Sequence, residues 1–272
     1  MLPKAINHMT CPSMRYDDFM AMANRLGCVG VHYRNDLGRP LFEGDHNSSV
    51  NELAQSSGMR ITGLAQLERF NEWNAEREAQ AKALIQTAVE IGAEGIGLIP
   101  VNDGSGAADG ERQANLKFAL AQLKPMLEQA RIKGFIEPLG FVQCSLRHKS
   151  EAVEAIKAVE GEGTFYLVHD TFHHFLANEC ATGAPIFPEY TGIIEISGVI
   201  DPTLAPSDMQ DGHRILVDDR DLIGNVDQIK ELMKAGYTGP VSFEPFAKEV
   251  HDLANPEEEI AKSFDFIASQ LN

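Results

Sequence analysis

Glu137, Asp170, Glu195 and Glu244 each stand where a charge is out of place. They close or interrupt short apolar runs: Gly134-Phe135-Ile136-Glu137-Pro138, Phe165-Tyr166-Leu167-Val168-His169-Asp170, Ile193-Ile194-Glu195-Ile196-Ser197 and Val241-Ser242-Phe243-Glu244-Pro245. Runs of this kind read as parallel strands covered on both faces, where an ionised side chain is expensive unless something compensates it. The prolines after Glu137 and Glu244 cannot donate to a ladder and mark the ends of their strands. Carboxylates gathered on one rim repel one another, so either some keep a proton or a cation sits among them. An oxygen-rich donor set suits Mn²⁺ or Mg²⁺, with Zn²⁺ as a borderline third candidate. A single acid at a strand end commonly caps a helix or pairs with an arginine. Three of them, on the fifth, sixth and eighth strands of one fold, form a pattern.

The elements that must carry these residues follow from a slow alternation of apolar runs and amphipathic stretches. Eight runs read as strands, over 4–7, 29–33, 60–66, 95–100, 134–137, 165–170, 192–197 and 240–244. Helix-like stretches lie between them, at 16–26, 75–91, 112–130, 151–159, 226–234 and 256–270. Gly27, Gly92, Gly134 and Gly236 follow helical stretches and are expected in left-handed, helix-ending positions. Strand and helix alternating eight times without a linker predict one α/β domain over residues 1–272, a (β/α)8 TIM barrel. A doubly wound open sheet would want a glycine fingerprint after its first strand, and Asn7-His8-Met9-Thr10-Cys11 is not one. On a barrel all four acids fall at the C-terminal rim, where such folds place their chemistry. Two irregular stretches face the same rim. Residues 102–110 form a Gly/Asp-rich loop without the Gly-Lys-Ser/Thr of a phosphate loop, and 198–221 is long enough to act as a cover.

Composition narrows the partners. The chain has 272 residues, 43% of them hydrophobic, enough for a large core. Its formal charge of −17, with no local basic tract, argues against nucleic acid and anionic membrane surfaces. Cys11, Cys28, Cys144 and Cys180 are spaced by 17, 116 and 36 residues, match no zinc pattern, and read as free thiols in a reducing cytosol. The first residues lack the apolar run of a signal peptide, and no stretch approaches the ~20 apolar residues of a membrane span. A cytoplasmic protein is expected.

At the level of motifs the whole chain resembles the xylose-isomerase-like TIM barrels, a family of sugar isomerases, ketose epimerases and inosose isomerases. The likeness is closest to the inosose isomerases of inositol catabolism. It rests on Phe135-Ile136-Glu137-Pro138-Leu139-Gly140 with Gln143-Cys144, on Leu167-Val168-His169-Asp170-Thr171-Phe172-His173, and on Val241-Ser242-Phe243-Glu244-Pro245-Phe246. The resemblance implies a metal held by Glu137, Asp170 and Glu244, with the fourth ligand from the seventh strand. Relatives carry a histidine there and this chain carries Glu195. Four carboxylates leave about −2 around a divalent ion, against about −1 with an imidazole in the set, which favours Mn²⁺ or Mg²⁺. His213, in the long loop, is the substitute candidate.

The resemblance also implies the reaction. Glu137 and Glu244 move a proton between carbons beside a carbonyl through an enediolate, one removing it and the other returning it. His173 and Arg214 are the implied substrate-binding residues. Asn7 and Gln66, at strand ends, can hydrogen-bond hydroxyls, and Phe70 and Trp73 can form an apolar wall. The last strand's loop, Pro245-Phe246-Ala247-Lys248, has no glycine for a phosphate, so the expected partner is an unphosphorylated sugar or cyclitol ketone. Homo-oligomerisation is compatible with this. Inosose dehydration, which begins with the same proton removal, and a catalytically impaired sugar-binding barrel are the competing readings. An apurinic-site nuclease on the same barrel would want more histidines and less negative charge.

Overall fold

Eight parallel strands close into a barrel in the computed structural model of the chain, which describes residues 2–106, 108, 110–179, 183 and 185–271. The strands are β1 Lys4–Asn7, β2 Gly30–Arg34, β3 Arg60–Glu68, β4 Gly95–Ile99, β5 Lys133–Ile136, β6 Phe165–Asp170, β7 Thr191–Ile196 and β8 Val241–Phe243. Each pairs with its sequence neighbours, and β1 closes against β8. Their residues are almost all buried, which is why they read as continuous apolar runs rather than alternating ones.

The outer ring is α1 Tyr16–Arg25, α2 Asn47–Ser57, α3 Ala75–Ile91, α4 Glu111–Ala130, α5 Lys149–Ala158, α6 Thr171–Leu176, α7 Asn225–Lys234, α8 Lys248–His251 and α9 Pro256–Gln270. Their apolar faces lie on the outer face of the barrel: Phe19, Ala88, Leu123, Ile156, Ile229 and Phe264 share one core cluster with Val31, Ile61, Ile96 and Ile194. Each large side chain buried there contributes roughly 1.5–3 kcal/mol. None of these helices is long and apolar enough to cross a membrane, among the described residues.

Gly27, Gly92 and Gly236 take positive φ after α1, α3 and α7, as their position predicts. Gly134 does not. Arg131 supplies the left-handed residue after α4, and Gly134 lies inside β5, where a Cβ would come within 2.8–3.0 Å of Phe165, Leu127 and Leu98. Its role is close packing between β5 and the helix over it. Cys11, Cys28 and Cys144 are free and buried; Cys180 lies outside the described residues, as do positions 107 and 109 of the Gly/Asp-rich loop.

Two register features bear on the site. Asp170 pairs with Glu195 across β6–β7, so these acids stand at one height on adjacent strands. Between β2 and β3 the register shifts at Val31/His32, and the shift sets Gly63 opposite His32.

Candidate metal centre

Glu137 and Glu244 follow the last residues of β5 and β8, Asp170 ends β6, and Glu195 lies one residue from the end of β7. All four carboxylates are buried, between 2% and 7% exposed. One oxygen from each lies within 4.8 Å of an oxygen from every other. The expected convergence is therefore present on the barrel's C-terminal rim. Glu137, Asp170 and His173 form an overlapping group of the same kind.

What compensates the charge differs from residue to residue. Asp170 begins α6: its Oδ1 accepts from the His173 backbone N–H at 2.9 Å, while Oδ2 accepts from Arg214. Glu244 is held from both sides, by Arg34 Nη1 at 2.5 Å on Oε1 and Arg214 Nη2 at 2.9 Å on Oε2. Glu195 has no guanidinium partner among the described residues. Its Oε1 receives Asn7 Nδ2 at 2.9 Å and lies 3.4 Å from His32 Nδ1. Glu137 also lacks a guanidinium partner among the described residues, and His173 Nε2 lies 3.6 Å from its Oε1.

The proton affinities follow from this layout. Burial, reinforced by Glu244, Glu195 and Asp170, pushes the Glu137 carboxyl well above the usual range. Burial and Glu195 push Glu244 up as well, against the pull of Arg214 and Arg34. Burial alone would also raise Glu195, but His32, Asn7 and Arg34 outweigh it and hold that carboxyl below its ordinary value. Burial lowers the proton affinity of His173, against the pull of Asp170. Four carboxylates against two guanidinium groups leave at least two formal negative charges, since Arg34 also serves Asp36 and Arg214 also serves Asp211. A divalent cation matches that residue of charge, and an all-oxygen set clustered within 4.8 Å fits a hard ion. The donors fit the group the fold implies.

Arg214 reaches the centre from the excursion between β7 and α7. That segment is anchored by a bridge between Gly198 and Ile215 and makes two 3-10 turns, at Pro206–Asp208 and Asp211–His213. It is thus folded structure, and its product is a guanidinium only 1% exposed. Ser197 Oγ accepts from Arg214 Nε at 2.9 Å, and the Phe246 ring lies 4.5 Å from the guanidinium carbon.

Beside the carboxylates opens a cleft of about 380 Å³. Glu137, Glu244, His173 and Arg214 form its floor; Ile99, Leu139, Phe141 and Phe246 give it apolar walls. Its mouth carries Asp36, Glu68, Asp103 and Asp211, with Arg69 tied to Asp103 at 2.6 Å.

Of the remaining expected residues, Gln66 lines the cleft, donating to Asp36 at 3.2 Å and Glu68 at 2.9 Å. Asn7 is turned to the carboxylates instead, donating to Glu195 and also to Glu244 at 3.0 Å. Trp73 and Phe70 do not border the cleft: Phe70 is fully buried in the main core cluster and Trp73 packs against that cluster, so their apolar surface is spent on the core. His213 is exposed, with Nδ1 accepting from the Gln210 backbone, and it joins no ligand group among the described residues. His32, Arg34 and Asp36 are absent from the sequence-based candidates. The rule that singled out the acids, a polar group inside a covered parallel strand, applies equally to His32 and Arg34.

Known proteins resemble the chain in sequence family and in fold. A family model described as xylose isomerase-like TIM barrel matches residues 20–270. Curated protein sequences give no match. Among solved structures, a xylose isomerase domain containing protein from Salmonella typhimurium LT2 is 27% identical with TM-score 0.90, over 99% of this chain and 97% of that one. The IOLI protein with a binding zinc atom is 18% identical with TM-score 0.86, over 100% and 99%. D-psicose 3-epimerase with D-tagatose from Clostridium cellulolyticum H10 is 16% identical with TM-score 0.73, over 100% of both chains.

Proposed function

Because the chain belongs to the xylose isomerase-like TIM barrel family, we propose that it is a divalent-metal-dependent isomerase or epimerase of an unphosphorylated polyhydroxy ketone, a sugar or an inosose-like cyclitol. The observation that carries this reading is the convergence of Glu137, Asp170, Glu195 and Glu244, four buried carboxylates with only two guanidiniums to offset them. Mn²⁺ or Mg²⁺ suits the oxygen donors, with Zn²⁺ the third candidate.

A bound divalent ion supplies Lewis-acid stabilisation of the negative charge that develops on substrate oxygen during proton removal. The chain's own groups do the rest. Glu137, without a guanidinium neighbour among the described residues and bordering the cleft, is placed to take up a carbon-bound proton once the ion has displaced its own. Glu244, held in one orientation by both arginines, delivers a proton to the neighbouring carbon. His173 borders the cleft beside Glu137 and can bond a substrate oxygen. Phe141 and Phe246 give the C–H faces of a ring an apolar surface and thin out the water around the reacting carbon. The acidic mouth opposes phosphate and carboxylate groups on the substrate, which supports a neutral polyol ketone.

Candidate ketoses and inososes incubated with the Mn²⁺-loaded protein in D₂O, followed by proton NMR, test this. Deuterium should enter at the carbon beside the carbonyl, together with an epimer or a shifted carbonyl. Glu137→Gln and Glu244→Gln should each lower the rate by at least about 10²-fold. Turnover of phosphorylated sugars alone would overturn the substrate class. Loss of water would reassign the reaction to dehydration, and binding without exchange would leave a sugar-binding barrel.

A further inference from the structure

His32 is an anomaly at the centre of the barrel. It projects inward from β2, is 2% exposed, and neither ring nitrogen makes an aligned hydrogen bond among the described residues. A buried polar group in that state is rare enough to require a reason. Room for the ring is made deliberately. The register shift between β2 and β3 places Gly63 against it, and a Cβ at Gly63 would lie 2.9 Å from His32 Nε2. The Nε2 side therefore meets backbone, while Nδ1 faces Glu195 Oε1 at 3.4 Å. Asn7 Nδ2 approaches the same oxygen from β1 and bridges it to Glu244.

The four carboxylates thus divide into two kinds. Asp170 and Glu244 are fixed by guanidiniums; Glu137 and Glu195 face imidazoles. His173, beside Glu137, borders the cleft and can meet substrate, but His32 lies behind Glu195 and does not border it. Its action can only pass through that carboxylate.

We propose that His32 is a positioning residue that fixes the orientation of Glu195 through Nδ1–H, in the space opened by Gly63, so that the seventh-strand carboxylate faces the metal centre. This rests on the reading of the four carboxylates as a metal site. Groups that orient a ligand in this way are typically worth about 10–100-fold in metal affinity. Because Nδ1 faces the Glu195 carboxylate, the pairing also favours the Nδ1-protonated tautomer.

Calorimetric titration of chelator-stripped protein with Mn²⁺ tests the proposal, with melting temperatures confirming that each variant folds. His32→Leu should weaken Mn²⁺ binding by about tenfold or more. His32→Asn, whose amide nitrogen can stand where Nδ1 stands, should stay close to the wild type. Gly63→Ala, which pushes the ring without removing it, should weaken binding in the same direction as His32→Leu. Wild-type affinity in a folded His32→Leu, or equal losses in the Leu and Asn variants, would overturn it. If the wild type itself binds no divalent ion, the metal reading fails, and ¹⁵N NMR of the His32 ring still decides the pairing. Nδ1 protonation in the wild type, lost in Glu195→Ala, supports it; an Nε2-protonated ring in the wild type refutes it.

Discussion

Two carboxylates that look alike in sequence, each a Glu-Pro at a strand end, carry opposite burdens in the fold. Glu244 bridges two buried arginines, whereas Glu137 has no guanidinium partner among the described residues in a site already crowded with carboxylates. Truncating a buried group that two arginines hydrogen-bond typically costs about 1–3 kcal/mol for the donors left unpaired, while Asp36, Asp170 and Asp211 still offset the arginines' charge. Glu244→Gln should therefore destabilise the metal-free protein by about that much. Glu137→Gln removes a like charge and should leave stability within about 1 kcal/mol of the wild type or raise it. Urea unfolding of chelator-treated samples checks the contrast, and equal losses in both variants would contradict the layout of charges. The acids are legible in sequence because a covered parallel strand does not tolerate an unexplained charge. His32 and Arg34 obey the same rule, but reading the second strand as 29–33 leaves Arg34 just outside it, and a lone histidine in an apolar run usually reads as core. Arg214 is signalled only by the resemblance to known barrels, since no periodicity describes a side chain delivered by two 3-10 turns.

At the scale of elements, the barrel strands and long helices are written plainly, by apolar runs and by helix-ending glycines such as Gly92 and Gly236. The short connections are not, because their conformations answer to packing. Gly140 shows why. It sits in the turn after β5, and a Cβ there would lie 2.2 Å from the carbonyl oxygen of His173 and 2.6 Å from Leu176 Cβ. That closeness lets the loop carrying Glu137 pack on α6, which carries His173. Arg147 fastens the contact, donating from Nε to the Gly140 carbonyl and from Nη2 to the Leu176 carbonyl, both at 2.9 Å. Gly140→Ala must part the two elements, and overpacking of this kind costs about 1–3 kcal/mol. A fall in melting temperature together with a loss of turnover is expected, since Glu137 and His173 move apart. A variant that melts and turns over like the wild type would show that the two elements are not rigidly joined.

For the whole molecule, closure is the feature sequence conveys best, since eight runs without a linker leave few other arrangements, and the net charge of −17 is spread over a surface whose centre is still short of positive charge. Stability against pH should reflect two opposing sets of buried groups. His8, stacked on Phe19 at 4.3 Å, has its pKa lowered to about 4 by burial, and His169 and His174 are lowered in the same way. The unfolded chain binds these protons near pH 6.5 and the folded chain does not. Their contribution is fully present above that value and declines as pH falls toward 4, by about 3 kcal/mol for His8 alone. His8→Gln, which keeps a donor for the Met14 carbonyl, should flatten this acid limb. Glu137 and Glu244 act in reverse: raised in the folded state, they favour folding while protonated and oppose it as pH climbs through their folded values. A divalent ion among them removes that opposition, but at low pH protons compete for the same oxygens. The rise in melting temperature on adding Mn²⁺ should therefore be larger at pH 8 than at pH 5.5. A rise of equal size at both would mean that the ion binds elsewhere, away from the carboxylates whose crowding the barrel creates.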